Sequence, residues 1–187
     1  MAEFCVIEFP TLRSDGITLR PFVAEDVVVL KEASADALIP KITTVPSVYS
    51  DAAALAFIER QHDRHRTGEG YSFAICSDDY PHAVGQIGVW VADLAKGRAT
   101  VGYWLGASAR GTGLCGRALE LVSSWAFQAL PINRLTAYVE PWNIASIRTA
   151  EAAGFHSEGL LRSWELVDGK PKDMLSMVRL HPDRDMV

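Results

Sequence analysis

A strand runs into a glycine-rich turn and then a long helix in Val101-Gly-Tyr-Trp-Leu-Gly-Ala-Ser-Ala-Arg110-Gly-Thr-Gly-Leu-Cys-Gly116-Arg-Ala-Leu119. Glycines allow the backbone to adopt positive φ and to come close to a ligand. The free N–H groups at the start of a helix, with the helix dipole behind them, bind phosphate oxygens. Arg110 adds a positive charge beside them. The stretch therefore predicts a pyrophosphate site at residues 110–116.

The same glycines admit other interpretations. Gly111, Gly113 and Gly116 match the dinucleotide fingerprint G-x-G-x-x-G, with Glu140 following 24 residues later. That interpretation is rejected because five residues separate the strand from the first glycine, and only 47 residues follow Glu140. A P-loop is excluded because no Gly-Lys-Ser/Thr ending follows. A tight turn that binds no ligand remains the alternative.

Length and composition are those of one globular α/β domain spanning residues 1–187. The chain is 49% hydrophobic and 22% charged, which is ordinary for a globular protein with a sizeable core. Its net charge of −5 argues against nucleic-acid binding, which needs a basic face. An acidic balance suits a cationic substrate such as an amine.

Cysteine usage and the amino terminus predict a cytoplasmic protein. Cys5, Cys76 and Cys115 are odd in number and lack paired spacing, as expected in a reducing compartment. Residues 1–10 lack the basic and long apolar regions of a signal peptide. No run approaches the ~18 apolar residues of a membrane span.

Periodicity along the chain predicts a mixed sheet with helices packed on it. A two-residue Asp168-Gly169 turn predicts that the last two strands form a hairpin. The predicted strands cover residues 17–21, 71–76, 83–91, 98–105, 134–139, 155–166 and 172–180. The predicted helices cover residues 24–33, 51–67, 112–129 and 143–153.

Three motifs in register resemble the GNAT acetyltransferase superfamily. Arg110-Gly-Thr-Gly-Leu-Cys115 is similar to its Arg/Gln-x-x-Gly-x-Gly/Ala signature, although Cys115 stands where glycine or alanine is usual. Gly102-Tyr-Trp-Leu, Asn143-Ile-Ala-Ser146 and Gly154-Phe155 resemble the ribosomal-protein N-terminal acetyltransferase (RimJ/RimL-like) branch. The resemblance covers nearly the whole chain. It implies a mixed, mostly antiparallel sheet of about six to seven strands, with helices on both faces.

The resemblance also implies the co-substrate and the residues around it. Acetyl-CoA or another acyl-CoA would be the acyl donor, with no metal. The strand before the glycine loop would splay from its neighbour and leave backbone groups for the pantetheine arm and the thioester. The implied coenzyme-binding residues are Tyr103, Trp104, Leu105, Gly106, Arg110, Gly111, Thr112, Gly113, Leu114, Cys115, Gly116, Asn143 and Ser146.

Two catalytic roles follow from the same resemblance, and each has a structural alternative. Ser146 would donate to the departing sulfur, but Asn143 and Ser146 are also good residues to start a helix. Glu165 would accept the amine proton, but across the predicted hairpin it falls opposite Lys172 as a cross-strand ion pair. Pro171 leaves that register uncertain.

Other polar residues receive more ordinary interpretations. Glu140 is expected in a solvated turn, although it could line an amine pocket. Tyr138 and Trp142 are expected to pack, although either could shape the acceptor site. The segment from Arg60 to Arg66, with His62 and His65, is expected to be a solvated helix face. Cys115, at the start of a helix, is expected to have a lowered thiol pKa.

The implied function is direct transfer of an acetyl group from acetyl-CoA to a primary amine, on a protein N-terminus or a small molecule. One alternative is transfer of a larger acyl group such as succinyl, which needs basic residues near the acyl pocket. Another is a non-catalytic acyl-CoA-binding module. The sequence leaves the acceptor and the oligomeric state open, although homodimers are common in this branch. No nucleic-acid or membrane partner is expected.

Overall fold

The computed structural model describes residues 8–80 and 82–183 and contains one eight-stranded sheet. The strands are β1 (Leu12–Ser14), β2 (Ile17–Arg20), β3 (Gly70–Ser77), β4 (Gly85–Trp90), β5 (Arg98–Leu105), β6 (Arg134–Val139), β7 (His156–Val167) and β8 (Lys170–Leu180). The α-helices are α1 (Val27–Ser34), α2 (Ile39–Ile42), α3 (Asp51–Arg66), α4 (Leu114–Ala129) and α5 (Ile144–Ala152). Within these described ranges, no helix is long and apolar enough to cross a bilayer.

The sheet has the order β1-β2-β3-β4-β5-β6-β8-β7 and is mostly antiparallel. Its one parallel pair is β5 and β6, which is paired only from Arg98–Arg134 to Thr100–Thr136. The predicted mixed, mostly antiparallel sheet is confirmed. The parallel pair divides the sheet into an amino-terminal part and a carboxy-terminal part.

The sheet has eight strands, more than the six to seven expected. The additional strand, β1, has three residues and joins β2 through Asp15 and Gly16, which have φ angles of 42° and 74°. Three residues are too few for an alternating pattern to be recognised in the sequence. The four-residue helix α2 was missed for the same reason.

Apolar side chains cover both faces of the sheet. Alternate residues of a strand face opposite sides, so Val101 of β5 packs in the core beneath α4, whereas Trp104 packs with Phe57 of α3. Helix α4 contributes buried residues at helical spacing, namely Leu114, Ala118, Leu119, Val122 and Ala126. The expectation of helices on both faces is therefore confirmed.

The hairpin of β7 and β8 has the predicted turn. Asp168 and Gly169 have φ angles of 52° and 71°, as a two-residue turn of this kind requires. The turn fixes the nearby register, and Glu165 lies directly opposite Lys172. Further along, the register shifts between Leu161 and Glu165, around Ser163 with its φ of 50°.

Candidate active site

The site lies where β5 and β6 separate. Their pairing stops at Thr100, while the pairing of β5 with β4 continues to Leu105. Gly106 donates its N–H to the Val84 carbonyl at 2.9 Å, on the β4 side. Because successive residues of a strand direct their backbone groups to opposite sides, those of Tyr103 and Leu105 point toward the gap. The implied splay is present, but the N–H of Gly106 is already used within the sheet.

The glycine loop beyond β5 leaves the first turn of α4 without a side-chain cap. Gly111 and Gly113 have φ angles of 76° and 77°, a conformation that favours glycine. Gly113 is the N-cap residue of this 16-residue helix, and no side chain caps it. A Cβ added at Gly111, Gly113 or Gly116 would meet nothing within 4 Å. The loop thus offers first-turn N–H groups and open space, as a phosphate site needs.

The side chain of Arg110 is already bonded within the protein. Its Nε donates to the Leu105 carbonyl at 3.1 Å, and its Nη2 donates to Asp36 Oδ2 at 2.7 Å. Nearby, Glu32 accepts from the N–H of Ser108 at 2.7 Å and from its hydroxyl at 3.0 Å. Two carboxylates from the α1–α2 region therefore fasten the loop, and the charge of Arg110 is already paired.

A cavity of about 560 Å³ opens beside the gap between β5 and β6. Five of the predicted site residues line it, namely Tyr103, Trp104, Asn143, Ser146 and Glu165. Leu105, Gly106 and residues 110–116 lie outside its lining. The structure thus brings the two predicted catalytic residues to one cavity, with the glycine loop beyond it.

Ser146 is hydrogen-bonded to the strand across the gap. Its Oγ donates to the Tyr103 hydroxyl at 3.1 Å, and that hydroxyl donates to the Ser146 carbonyl at 3.0 Å. Burial raises the pKa of Tyr103, partly offset by the Ser146 hydrogen bond, so the phenol stays protonated. Asn143 Oδ1 accepts the N–H of Ser146 at 3.2 Å and caps α5. The helix-starting role of Asn143 is confirmed.

Two carboxylates also line the cavity. Glu165 is exposed, and within the described ranges its side chain forms no hydrogen bond or ion pair, although the predicted register with Lys172 is confirmed. Glu140 also lines the cavity and accepts the Trp142 indole N–H at 2.8 Å. Glu165 is therefore a free carboxylate at the cavity, and Glu140 is a partnered one.

Cys115 differs from the sequence-based expectation. Its side chain packs against the main core, and burial raises the pKa of its thiol to about 12. The free energy lost by removing a thiolate from water is larger here than the stabilisation that the dipole at the start of the helix gives it. The expected lowering of its pKa is wrong.

Cys115 should therefore react slowly with alkylating agents. At neutral pH, far below a pKa of about 12, almost no thiolate is present to attack iodoacetamide. Peptide mapping of the labelled native protein should show much slower modification of Cys115 than in the urea-unfolded chain. Labelling of Cys115 at the same rate in both states would contradict this placement.

The arginine-rich segment of α3 is not simply a solvated face. Arg64 is half-buried and lines the cavity together with Trp90. His62 Nε2 bonds the Phe22 carbonyl at 2.9 Å, and the ring of His65 lies 5.2 Å from that of Phe9. The sequence carries a signal for Arg64: the buried positions 54, 57, 58 and 61 of α3 continue at helical spacing to 64.

A metal site is not apparent in the structure. Among residues 8–80 and 82–183, no group of three or more histidine, cysteine or acidic side chains is arranged to hold an ion.

Comparisons with known proteins agree with this geometry. The family model "Acetyltransferase (GNAT) domain" matches residues 17–156. The N-acetyltransferase p20 of Bacillus licheniformis, itself uncharacterized, is 30% identical over 164 residues, covering 88% of this chain and 92% of that protein.

Solved structures share the fold at lower identity. RimL, a ribosomal-protein alpha-N-acetyltransferase in complex with coenzyme A, has a TM-score of 0.78 at 19% identity, covering 91% of this chain and 98% of RimL. RimJ of Mycobacterium smegmatis, in complex with a coenzyme A disulfide, has a TM-score of 0.77 at 24% identity, covering 94% and 88%. This chain belongs to the GNAT acetyltransferase family and is an acyl-CoA-dependent N-acyltransferase.

Proposed function

We propose that the protein transfers an acetyl group from acetyl-CoA directly to a primary amine, and that the acceptor is a peptide or protein N-terminus. One observation carries the proposal: the unpaired edge of β5, the Tyr103–Ser146 pair and the free carboxylate of Glu165 meet at one cavity. The bare start of α4 lies just beyond it.

The proposed coenzyme position follows from these features. The N–H groups of residues 111–116 would bind the pyrophosphate. The open backbone groups of Tyr103 and the N–H of Leu105, whose carbonyl already accepts from Arg110, would bind the pantetheine arm and the thioester carbonyl. Preorganised donors of this kind stabilise negative charge that develops on the carbonyl oxygen. Asn143 and Ser146 would close the opposite side of the arm.

Acetylation of a protonated amine removes two protons from its nitrogen, of which one reaches the departing sulfur and the other leaves to solvent. Glu165 would take the amine proton, directly or through water, so that the neutral nitrogen attacks the carbonyl carbon and the C–N bond forms. Ser146, whose hydroxyl donates to Tyr103 in the free protein, would turn that hydroxyl to the sulfur and protonate it as the C–S bond breaks. The second amine proton, relayed through water, would restore the serine hydroxyl. The second proton taken from the nitrogen therefore balances the one given to the sulfur, and the first proton is released from Glu165 to solvent.

The rim of the cavity suits a peptide acceptor. Trp142, Trp164 and Leu166 expose 58%, 52% and 71% of their surface, and exposed apolar groups next to a cavity are typical of binding sites. The ring of Trp164 lies 5.3 Å from that of Tyr138, which lines the cavity. RimL, which shares this fold, is an alpha-N-protein acetyltransferase, and this supports a peptide acceptor.

A thiol-release assay tests the acceptor class. Acetyl-CoA would be offered with peptides bearing free N-termini and, in parallel, with a polyamine, an amino sugar and free amino acids. We expect kcat/KM for the better peptides to exceed that for the small amines at least about tenfold, since the rim contacts are available only to peptides. A small amine that outperforms every peptide would contradict the acceptor assignment. Absence of turnover with all amines would favour a non-catalytic module.

Replacing Arg110 with alanine should weaken coenzyme A binding by about 1–3 kcal/mol, the range for a charge-assisted hydrogen bond. The change removes a positive charge from the loop. It also removes the hydrogen bonds of this side chain to Asp36 and to the Leu105 carbonyl. Calorimetric titration with coenzyme A measures the loss.

Two companion variants sharpen the result. Asp36→Asn should also weaken binding if Arg110 acts by fastening the loop. Arg66→Ala is the control, because Arg66 pairs with Glu59 and Asp63 on the surface of α3 and should leave affinity unchanged. Unaltered affinity in Arg110→Ala would remove Arg110 from the site.

A further inference from the structure

A cation in the cavity wall is not used by the reaction described above. Arg64, on the last turn of α3, lines the cavity together with Trp90, Thr100 and Gly102. These residues belong to the sheet face covered by α3, whereas Ser146 lies on α5, across the gap from β5. Arg64 therefore borders the same cavity as the reacting groups but from a different wall.

Neighbouring side chains hold this guanidinium in one orientation. Arg64 Nη1 donates to Gln61 Oε1 at 2.8 Å, and Gln61 is fully buried. Gln86 Nε2 donates to the same oxygen at 3.0 Å, and Trp104 Nε1 donates to Gln86 Oε1 at 2.8 Å. A connected, satisfied polar network of this kind fixes side-chain positions. Arg64 is therefore held ready before any ligand arrives.

Arg64 also has no carboxylate partner within the described ranges, in contrast to five other arginines. Among the described residues, ion pairs to carboxylates are formed by Arg20, Arg66, Arg98, Arg110 and Arg134. Arg64 forms none within that part of the chain, and burial lowers its pKa, with Glu69 opposing this from a distance. A partly buried cation without a counter-charge is costly. Its orientation into the cavity suggests that a ligand supplies the charge.

Two glycines keep the path to Arg64 open. The Arg64 guanidinium lies 5.9 Å from the centre of the Trp90 ring. A Cβ at Gly88 or Gly102 would come within 2.9 or 3.1 Å of that ring. Because both positions are glycine, the indole lies against the sheet, and the cavity extends from the gap between β5 and β6 to the guanidinium.

We propose that Arg64 binds a carboxylate carried by one of the substrates, either on the amine acceptor or at the far end of the acyl group. The proposal rests on the proposed acyl transfer and deepens it by naming a charge that the substrate carries. A planar guanidinium matches a carboxylate through two parallel hydrogen bonds, and Arg64 has its Nε and Nη2 groups available for this.

The test compares matched substrates in two arms. In the acceptor arm, acetyl-CoA is fixed and N-terminal peptides differ only by glutamate or glutamine at the second position. In the acyl arm, the neutral peptide is fixed and the donor is succinyl-CoA or acetyl-CoA. We expect the charged substrate to be favoured about ten- to hundredfold in kcat/KM in one arm, the range for a hydrogen-bonded charge. The arm that responds identifies which substrate carries the carboxylate. A response in the acyl arm would support the role of Arg64 but would replace acetyl with a larger, acidic acyl group in the proposed function.

Variants then assign the preference to Arg64. Arg64→Gln should reduce the charged-to-neutral ratio at least tenfold, and Arg64→Lys, which retains the charge, should reduce it less. Arg66→Gln, on the exposed face of the same helix, should keep the wild-type ratio. If the wild-type protein has a charged-to-neutral ratio near one in both arms, the proposal is overturned. This result does not depend on whether an Arg64 variant folds. A preference that survives in Arg64→Gln overturns it as well. Turnover without preference rejects only the role of Arg64, whereas no turnover with any pair rejects the proposed function too.

Discussion

Replacing Glu165 with glutamine should lower turnover by about 10²–10⁴-fold, the range for loss of a general base. The substitution keeps the shape of the side chain and removes its ability to accept the amine proton. Affinity for acetyl-CoA and thermal stability should change little, because Glu165 is exposed and forms no contact within the described ranges that folding depends on. Steady-state thiol release with saturating acetyl-CoA and peptide measures the loss.

The alternative role of Glu165 predicts a different result. If the residue served only as the cross-strand partner of Lys172, the loss would be a small change in stability, as for other exposed pairs. Turnover would then be intact. The absence of a Glu165–Lys172 ion pair despite the correct register favours the catalytic role.

A matched control and a pH profile separate a base from a structural residue. Glu151→Gln makes the same chemical change at an exposed position of α5 outside the cavity and should leave turnover unchanged. The wild-type rate should fall on the acid side as the base becomes protonated, and Glu165→Gln should lack that limb. Near-normal turnover for Glu165→Gln across the pH range would contradict the assignment of Glu165 as the general base. Glu140, the other carboxylate at the cavity, would be tested next.

Replacing Ser146 with alanine should lower kcat by about 10–10²-fold, which is at or below the bottom of the range for a general acid, because water can partly substitute for the hydroxyl. The serine hydroxyl is bonded to the Tyr103 hydroxyl at 3.1 Å, and alanine has no group that can replace it. The cap of α5 should survive, because Asn143 bonds the backbone N–H of residue 146 and not its side chain. Stability should therefore be nearly unchanged while kcat falls.

Thr149→Ala provides the matched control for Ser146. Thr149 lies on the same helix, one turn further along, and its hydroxyl donates only to the Ala145 carbonyl at 2.9 Å. Losing that hydroxyl should leave kcat intact. If Ser146→Ala and Thr149→Ala show equally normal kcat, Ser146 is only a helix-start residue and the sulfur is protonated by another group.

Features set by neighbouring residues in the chain could be predicted from the sequence. The sequence predicted the glycine loop and the helix that follows it. It also predicted the strand register that sets Glu165 opposite Lys172. Each depends on local rules: positive φ at Gly111 and Gly113, and a two-residue turn that fixes the register on either side of it.

Features set by distant contacts could not be predicted in the same way. The pKa of Cys115 is raised by burial against the core, and a motif does not reveal how deeply one residue will be covered. Arg110 is held by Asp36, which lies 74 positions earlier in the chain. Arg64 borders the cavity beside Trp90 because the buried Gln61, which is itself held by Gln86, accepts its hydrogen bond. Only the assembled sheet brings these partners together.

The most direct measurement is thiol release before and after the amine is added. The central claim is direct transfer at the gap between β5 and β6, and among the described residues no cysteine lines the cavity. Acetyl-CoA mixed with the protein alone should give no burst of thiol. Adding the amine should then release one thiol for each acetylated amine found by mass spectrometry. A burst of about one thiol per chain before the amine is added would indicate a covalent acyl-enzyme and would contradict the account.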